Sequence, residues 1–429
     1  MLKTVSKTKK LTGEITIPAD KSVSHRAVMF SSIADGKSVI KNFSNGADCI
    51  STVNLFKQLG VNIEFKDEKT LEIIGGKLLK PIKPLNAGNS GTTMRLVSGI
   101  LAGQDFESII TGDESLSKRP MKRIIEPLKL MGADISSMDG KAPLYIKGKN
   151  LCGINYNSQI SSAQVKSCIL LAGLNENTNG TTIYTEPYLS RNHTELMLKY
   201  LDADIEFEEC TTKISSGRLS AKNIEVIGDI SSAAFFIVAG LIVEGSDFII
   251  KNVGINPTRT GILDVVKKMG GNIDLINERK ISGEMVADIR VQYTENLKGC
   301  EISGADIPRL IDELPVIAVL ASQAEGETVV RDAQDLRNKE TDRITCLVSE
   351  LQKIGVDIFE QNDGFVVYGN KKKGLSGDAE LQVFHDHRLA MSFYVAGLVS
   401  EKQIAIKDFE WINISFPEFE SLMTSLIND

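Results

Sequence analysis

The chain has 429 residues, 42% hydrophobic and 24% charged, enough for two or three domains that each bury a core. Its 49 Lys and Arg against 56 Asp and Glu give a formal charge of −7, which excludes broad nucleic-acid binding and requires basic residues to be gathered locally for any anionic ligand. The six cysteines are scattered with no C-x-x-C pair and there are only four histidines, a pattern of free thiols in a reducing compartment with no metal site.

The basic start, MLKTVSKTKKLTG, leads into no apolar signal region, and no later apolar run is long enough to span a bilayer. A cytoplasmic chain without a membrane partner is expected. LTGEITIP reads as a first strand, and from there two patterns alternate along the chain. One is a helix rich in apolar and small residues, a turn and a β-rich run: RAVMFSSIADGKSVIKNF, MRLVSGILAGQDFESIIT, QVKSCILLAGLNENTNGTTIYT, AAFFIVAGLIVEGSDFIIKNV, PVIAVLASQAEGETVVRDA and LAMSFYVAGLVSEKQIAIKDF. These helices are apolar nearly all round, so they are expected to be buried. The other pattern is an amphipathic helix that exits at a small or polar residue into a strand, turning at Gly60, Gly132, Asp202, Gly270 and Gly355. Its sixth copy is cut short at SLMTSLIND, and the amino-terminal strand is expected to complete it. Both termini then belong to one domain, residues 1–17 and 226–429. The other domain, residues 18–225, is inserted between crossings near Pro18 and near Asn223 to Gly228. The predicted fold is α/β, two similar domains with three buried helices each.

The residues just before the buried helices are polar: ADKSVSHR, NAGNSGTTMR, QISSAQ, GDISS, IPRLIDELP and FHDHR. Helix N-termini carry unpaired N–H groups and the positive end of the macrodipole. Capping accounts for Ser231 and Ser232, but not for Lys21, Arg26, Arg95, Arg119 or Arg388. Parallel buried helices would gather these groups on one face of each domain, and two opposed faces would form an anion cleft. The stretch LRNKETDRI, residues 336–344, adds Arg337, Lys339 and Arg343 alternating with Glu340 and Asp342, with no apolar stripe. ADGKS lacks the earlier glycine of a nucleotide phosphate loop, and no G-x-S-x-G elbow is present, so the expected anion is the substrate itself.

The motifs DKSVSHR (20–26), GNSGTTMR (88–95), SLSKRP (115–120), SSAQVKSCILLAGL (161–174), SRNHTE (190–195), LRNKETDR (336–343) and DHR (386–388) run in the order of the 5-enolpyruvylshikimate-3-phosphate synthase family. The chain resembles that family along essentially its whole length, in the form of its second, more divergent bacterial class, with His25 where the first class has Asn. The resemblance implies an enolpyruvyl transferase fold, an inside-out α/β barrel with three βαβαββ units per domain, closing on its substrates. It implies transfer of the enolpyruvyl group of phosphoenolpyruvate to shikimate 3-phosphate, with release of phosphate, by a monomer needing no metal or cofactor. It further implies that Lys21, Ser22, Arg26, Ser161, Ser162, Gln164, Arg191, Asp312 and Lys339 meet shikimate 3-phosphate. Lys21, Gly91, Arg119, Gln164, Arg343 and Arg388 would meet phosphoenolpyruvate, and Asp312, Glu340 and Lys21 would carry the chemistry. One departure is ISFPEF, which puts Ile414 where the first class has Lys.

These residue types suit that reaction. Both substrates carry a carboxylate and a phosphate, which guanidinium groups bind bidentately without losing their protons. Carbon C3 of phosphoenolpyruvate must gain a proton and later lose one, work for two carboxyl groups, with Asp312 at the attacking hydroxyl and Glu340 near C3. The sister family acting on UDP-N-acetylglucosamine commonly has a cysteine at the place of Glu114. A non-catalytic anion-binding scaffold would have lost Asp312, Glu340 or Lys21, and all three are present.

Overall fold

Apart from two short ones at Glu114–Lys118 and Ile307–Leu310, the α-helices among the described residues alternate between two kinds in the computed structural model, which describes residues 1–370 and 373–428. The buried kind comprises α1 (Lys21–Ile33), α3 (Gly91–Ala102), α5 (Ala163–Leu174), α7 (Ile230–Ile242), α9 (Leu314–Ser322) and α11 (His387–Gly397). Every residue of α7 and α9 is buried, as sequences apolar on all sides require. The outer kind comprises α2 (Ala47–Gln58), α4 (Lys122–Leu130), α6 (His193–Tyr200), α8 (Gly261–Lys268), α10 (Arg343–Lys353) and α12 (Phe419–Leu426). The turns that follow the first five outer helices all have positive φ: Gly60 84°, Gly132 89°, Asp202 66°, Gly270 80° and Gly355 87°. Glycine takes that conformation without a Cβ clash, and aspartate is among the few other residues that tolerate it. Among the described residues no helix is long and apolar enough to cross a membrane.

The chain forms two compact units. One is Ala19–Ile227 with Lys280–Glu284; the other is Met1–Pro18, Gly228–Arg279 and the residues from Met285 onward. Within each unit a buried helix joins parallel strands. Leu85–Asn86 pairs with Glu107–Thr111 around α3, and Asn155–Asn157 with Thr182–Thr185 around α5. Glu301–Ile302 pairs with Glu325–Val330 around α9, and Ala379–Gln382 with Ile404–Lys407 around α11.

For α1 and α7 the strand partners are exchanged. Lys10–Thr16 precedes α1 in sequence but lies parallel to Asp247–Gly254, which follows α7, with Thr12 opposite Asp247. Ile224–Glu225 precedes α7 but lies parallel to Ala34–Lys41, which follows α1, with Ile224 opposite Ile40. Each crossing strand therefore stays in the sheet of the unit that the chain is leaving. The carboxy terminus does form a short strand of its own, contrary to the sequence expectation. Ile427 sits opposite Leu11, so the two ends of the chain complete one sheet together.

Two buried helices approach backbone to backbone. A Cβ on Gly99 of α3 would run into the carbonyl oxygen of Cys168 on α5, and both residues are buried. Close packing leaves no room for even one methyl group there. Gly99→Ala should therefore destabilise the protein by about 1–3 kcal/mol through overpacking. Chemical denaturation should show a lower midpoint with the slope unchanged, and an unaltered midpoint would mean that the two helices part freely.

Candidate active site

In the Ala19–Ile227 unit, the N-terminus of α1 is set by Asp20, whose side chain accepts from the Val23 N–H at 2.8 Å. That cap fixes the first turn, which carries Lys21 and Ser22, and Arg26 follows in the second. The Lys21 ammonium is paired with Asp48. Arg26 is 3% exposed, and its three hydrogen bonds go to neutral oxygens: Nε to Thr194 Oγ1 (2.7 Å), Nη1 to the Ser22 carbonyl (3.0 Å) and Nη2 to Ser167 Oγ (3.0 Å). Burial pulls its pKa down to about 10; Glu195 is the carboxylate that opposes this most, while Arg191 adds like charge. Hydroxyls thus orient the guanidinium without neutralising it, which suits an incoming anion.

A second set of cations forms around the start of α3. Ser90 caps that helix by accepting from the Thr93 N–H at 3.1 Å. A Cβ on Gly91 would lie 2.7 Å from Arg95 Nη1, so glycine here makes room for the arginine. Arg95 donates to Gln164 Oε1 at 2.6 Å, and Gln164 Nε2 donates to Thr92 Oγ1 at 3.1 Å. Arg119 donates to Asn89 Oδ1 at 3.1 Å. Burial lowers Arg95 to about 10, and the neighbouring charges of Arg119 and Arg123 push the same way. The sequence reading gave no ligand role to Arg95, although it noted the residue at a helix start, and it missed Arg123, which carries no motif. Ser162 caps α5 by accepting from the Val165 N–H at 3.5 Å, and Ser161 Oγ accepts from the Tyr188 N–H at 2.9 Å.

His25 faces the other way, into the interior. Its Nδ1 meets Thr52 Oγ1 at 2.7 Å, which meets Thr93 Oγ1 at 2.7 Å, which donates to Ser90 Oγ at 2.7 Å. This chain ties α1, α2 and α3 together behind the candidate ligand residues.

The other unit presents a denser cluster. Asp312 accepts from Lys339 Nζ at 3.2 Å and lies 3.5 Å from Arg343 Nη1. Its carbonyl accepts from Arg388 Nη1 at 3.2 Å. Arg343, 1% exposed, donates through Nε to Asp386 at 2.6 Å and is also paired with Glu340. Burial works against this charge, but Asp386, Glu340 and Asp312 overcome it and hold the guanidinium above its ordinary range. Nη1 of Arg343 is buried with no hydrogen-bond partner. Asp386 also caps α11, accepting from the Arg388 N–H at 2.9 Å.

The remaining charges of LRNKETDRI are structural. Asp342 caps α10 through the Thr345 N–H (3.2 Å) and accepts from Arg337 (2.8 Å), which also donates to the carbonyls of Gln361 (2.7 Å) and Asn362 (2.9 Å). One sequence expectation is corrected here. Ser231 is not a cap, because Asp229 caps α7 by accepting from the Ser231 N–H at 2.9 Å. The Ser231 hydroxyl instead meets Glu313 and accepts from Arg259 at 2.5 Å. Ile414 ends a short 3-10 helix, Phe409–Ile414, and brings an aliphatic side chain to that position.

Burial, reinforced by the charges of Lys21 and Arg26 against the pull of Asp48, holds the His25 imidazole neutral with a pKa of about 3. The unfolded chain, with its histidine near 6.5, takes up the proton first as pH falls. Stability from this residue is therefore complete above pH 6.5 and is lost progressively below it. By pH 5 the loss is about 2 kcal/mol. In His25→Asn the drop in unfolding free energy between pH 7 and pH 5 should be smaller by that amount. Urea titrations at the two pH values measure it, and an equal drop in both proteins would contradict the assignment.

The sequence profile of EPSP synthase (3-phosphoshikimate 1-carboxyvinyltransferase) matches residues 5–423. The chain is 50% identical over 430 residues to the 3-phosphoshikimate 1-carboxyvinyltransferase of Geotalea uraniireducens, covering 99% of both chains. It is 52% identical over 418 residues to that of Thermoanaerobacter sp. strain X514, covering 97% of both. Among solved structures it superposes on EPSP synthase from Acinetobacter baumannii with a TM-score of 0.90 at 42% identity, covering 99% of this chain and 98% of that one. It also shares its fold with the enolpyruvyl transferase NikO from Streptomyces tendae, at a TM-score of 0.81 and 18% identity, covering 100% and 97%.

Proposed function

The chain belongs to the EPSP synthase (3-phosphoshikimate 1-carboxyvinyltransferase) family, and from that premise we propose how its two polar clusters divide the work of the reaction. The activity is transfer of the carboxyvinyl group of phosphoenolpyruvate to the 5-hydroxyl of shikimate 3-phosphate, releasing phosphate. Shikimate 3-phosphate engages Lys21, Ser22, Arg26, Ser161, Ser162, Gln164 and Arg191, with Asp312 and Lys339 at its reacting side. Phosphoenolpyruvate engages Lys21, Gly91, Arg119, Gln164, Arg343 and Arg388. The observation that carries this division is the cluster in which Lys339 and Arg343 pair with Asp312 while Arg343 also pairs with Glu340 and Asp386, leaving one buried arginine nitrogen without a hydrogen bond.

In the addition step Asp312 accepts the proton of the 5-hydroxyl as its oxygen attacks C2, while Glu340 delivers a proton to C3. In the elimination step C3 returns a proton to a carboxylate, and the C–O bond to phosphate breaks. Asp312 and Glu340 both contact the guanidinium of Arg343, so one cation steadies two groups that exchange protons. Lys21, now on Asp48, and Lys339, now on Asp312, are cations that substrate anions can draw over. The alternative acceptor, UDP-N-acetylglucosamine, gains no support. The position of that family's cysteine is Glu114, which is exposed and bonded to Lys118 at 2.7 Å.

The direct test is phosphate release from shikimate 3-phosphate plus phosphoenolpyruvate, with each omitted in turn. Release only when both are present supports the activity, and release with UDP-N-acetylglucosamine instead would transfer it to the sister reaction. Within the site, Glu340→Gln keeps the shape and removes the titrating proton. Turnover should fall about 10²–10⁴-fold while the affinity for phosphoenolpyruvate changes far less; near-normal turnover would make the carboxylate an electrostatic spacer.

Arg343→Ala leaves Asp386 buried and without its counter-ion. It should cost about 3–5 kcal/mol of stability in addition to phosphoenolpyruvate affinity. Thermal unfolding beside steady-state kinetics separates the two effects, and an affinity loss with undiminished stability would show that Asp386 finds another partner.

A further inference from the structure

Behind the residues that meet substrate lies a buried ion cluster that the reaction itself does not use. Lys166, on α5, is 1% exposed. Its ammonium lies 2.8 Å from Glu186 Oε1 and 2.8 Å from Glu195 Oε1, and donates to the Ser190 carbonyl at 3.2 Å. Burial alone would lower its pKa; Glu195 and Glu186 outweigh that and hold it above the ordinary lysine range. Glu186 also accepts from the N–H and the hydroxyl of Ser190, each at 2.8 Å. All three polar groups of Ser190 are thus tied to this cluster, and the next residue is Arg191.

The sequence neighbours form a second tie. Ser167 follows Lys166 and Thr194 precedes Glu195; their hydroxyls meet at 2.6 Å, and both accept from Arg26. Two contacts therefore join the loop and α6 to α5: an ionic one through Lys166 and Glu195, and a hydroxyl one that carries Arg26. Two glutamates against one lysine leave an excess negative charge. Glu195 is the carboxylate that acts most on Arg26, yet none of the Arg26 hydrogen bonds goes to it. The counter-charge is present without occupying the guanidinium that a phosphate would need. A phosphate monoester is held best by guanidinium groups fixed in advance, since ordering them on binding costs affinity.

We propose that Lys166, with Glu186 and Glu195, positions Arg26 and Arg191 so that this subsite selects a phosphorylated acceptor over its unphosphorylated form. Lys166 is a positioning residue, too buried to reach the ligand itself. The proposal rests on the reading that this unit binds shikimate 3-phosphate.

The test uses Lys166→Met combined with Glu186→Gln, which keeps the net charge of the cluster, and Lys166→Arg as the conservative variant. Calorimetric affinities for shikimate 3-phosphate and for shikimate are measured on each, beside thermal unfolding and the KM for phosphoenolpyruvate. The double variant should lose about 10- to 100-fold in affinity for shikimate 3-phosphate, the scale of one charge-assisted contact, and keep its affinity for shikimate. Lys166→Arg should recover part of the loss, and the KM for phosphoenolpyruvate should hold. Equal losses for both ligands, or an unchanged affinity for shikimate 3-phosphate in the folded variant, would overturn the proposal. Should the double variant fail to fold, Glu186→Ala alone releases Ser190 by removing its acceptor while keeping the Lys166–Glu195 pair, and the same ratio decides. A wild-type protein that bound no shikimate 3-phosphate would overturn the functional reading instead.

Discussion

A helix buried on every side can offer a ligand only its ends. Six of the helices are of that kind, and the rest of the molecule follows from how their N-termini are finished. Asp20, Ser90, Ser162, Asp229 and Asp386 cap five of them with a side-chain oxygen. Capping fixes the helix start, and the first two turns carry Lys21, Arg26, Arg95, Gln164 and Arg388. The burial that makes the core thus also determines where polar chemistry can emerge.

Charges at such positions are expensive to leave bare, and none of the principal ones is. Lys21 rests on Asp48, Lys339 on Asp312, and Arg343 on Asp386 and Glu340. Arg26 is the contrasting solution, caged by hydroxyls with its counter-charge one contact away. A cation of the first kind would have to exchange its carboxylate for any anion it bound, which lowers net affinity but rejects uncharged ligands. The second kind can receive an anion with nothing to displace.

The repeating helix pairs, the buried character of one set and the turns at Gly60, Gly132, Asp202, Gly270 and Gly355 were legible because each depends on residues close in sequence. So were the cations at the helix starts, whereas the structural role of Arg337 and Asp342 emerged only from their mutual contact. Ser231 was misread because Asp229 and Ser231 both suit a cap, and only the backbone path selects between them. Lys166 passed unnoticed within an apolar helix, because its partners Glu186 and Glu195 lie 20 or more residues onward and are recognised only in space. The crossings near Pro18 and near Asn223 to Gly228 placed the amino-terminal strand with the second half of the chain, but its partner Asp247–Gly254 was not legible, since a parallel partner leaves no local mark.

The exchange of strands around α1 and α7 bears on the order in which the protein is made. Lys10–Thr16 is synthesised more than 200 residues before its first sheet neighbour, Asp247–Gly254, and longer still before the other, Ile427–Asn428. By contrast, the strand partners of Ala34–Lys41 are all synthesised by Glu225. The inserted unit can complete its sheets while the second half is still being translated. The amino-terminal segment must wait unpaired through that whole interval. This early strand is therefore among the last to find its sheet, and its exposed edge needs protection for as long as synthesis continues.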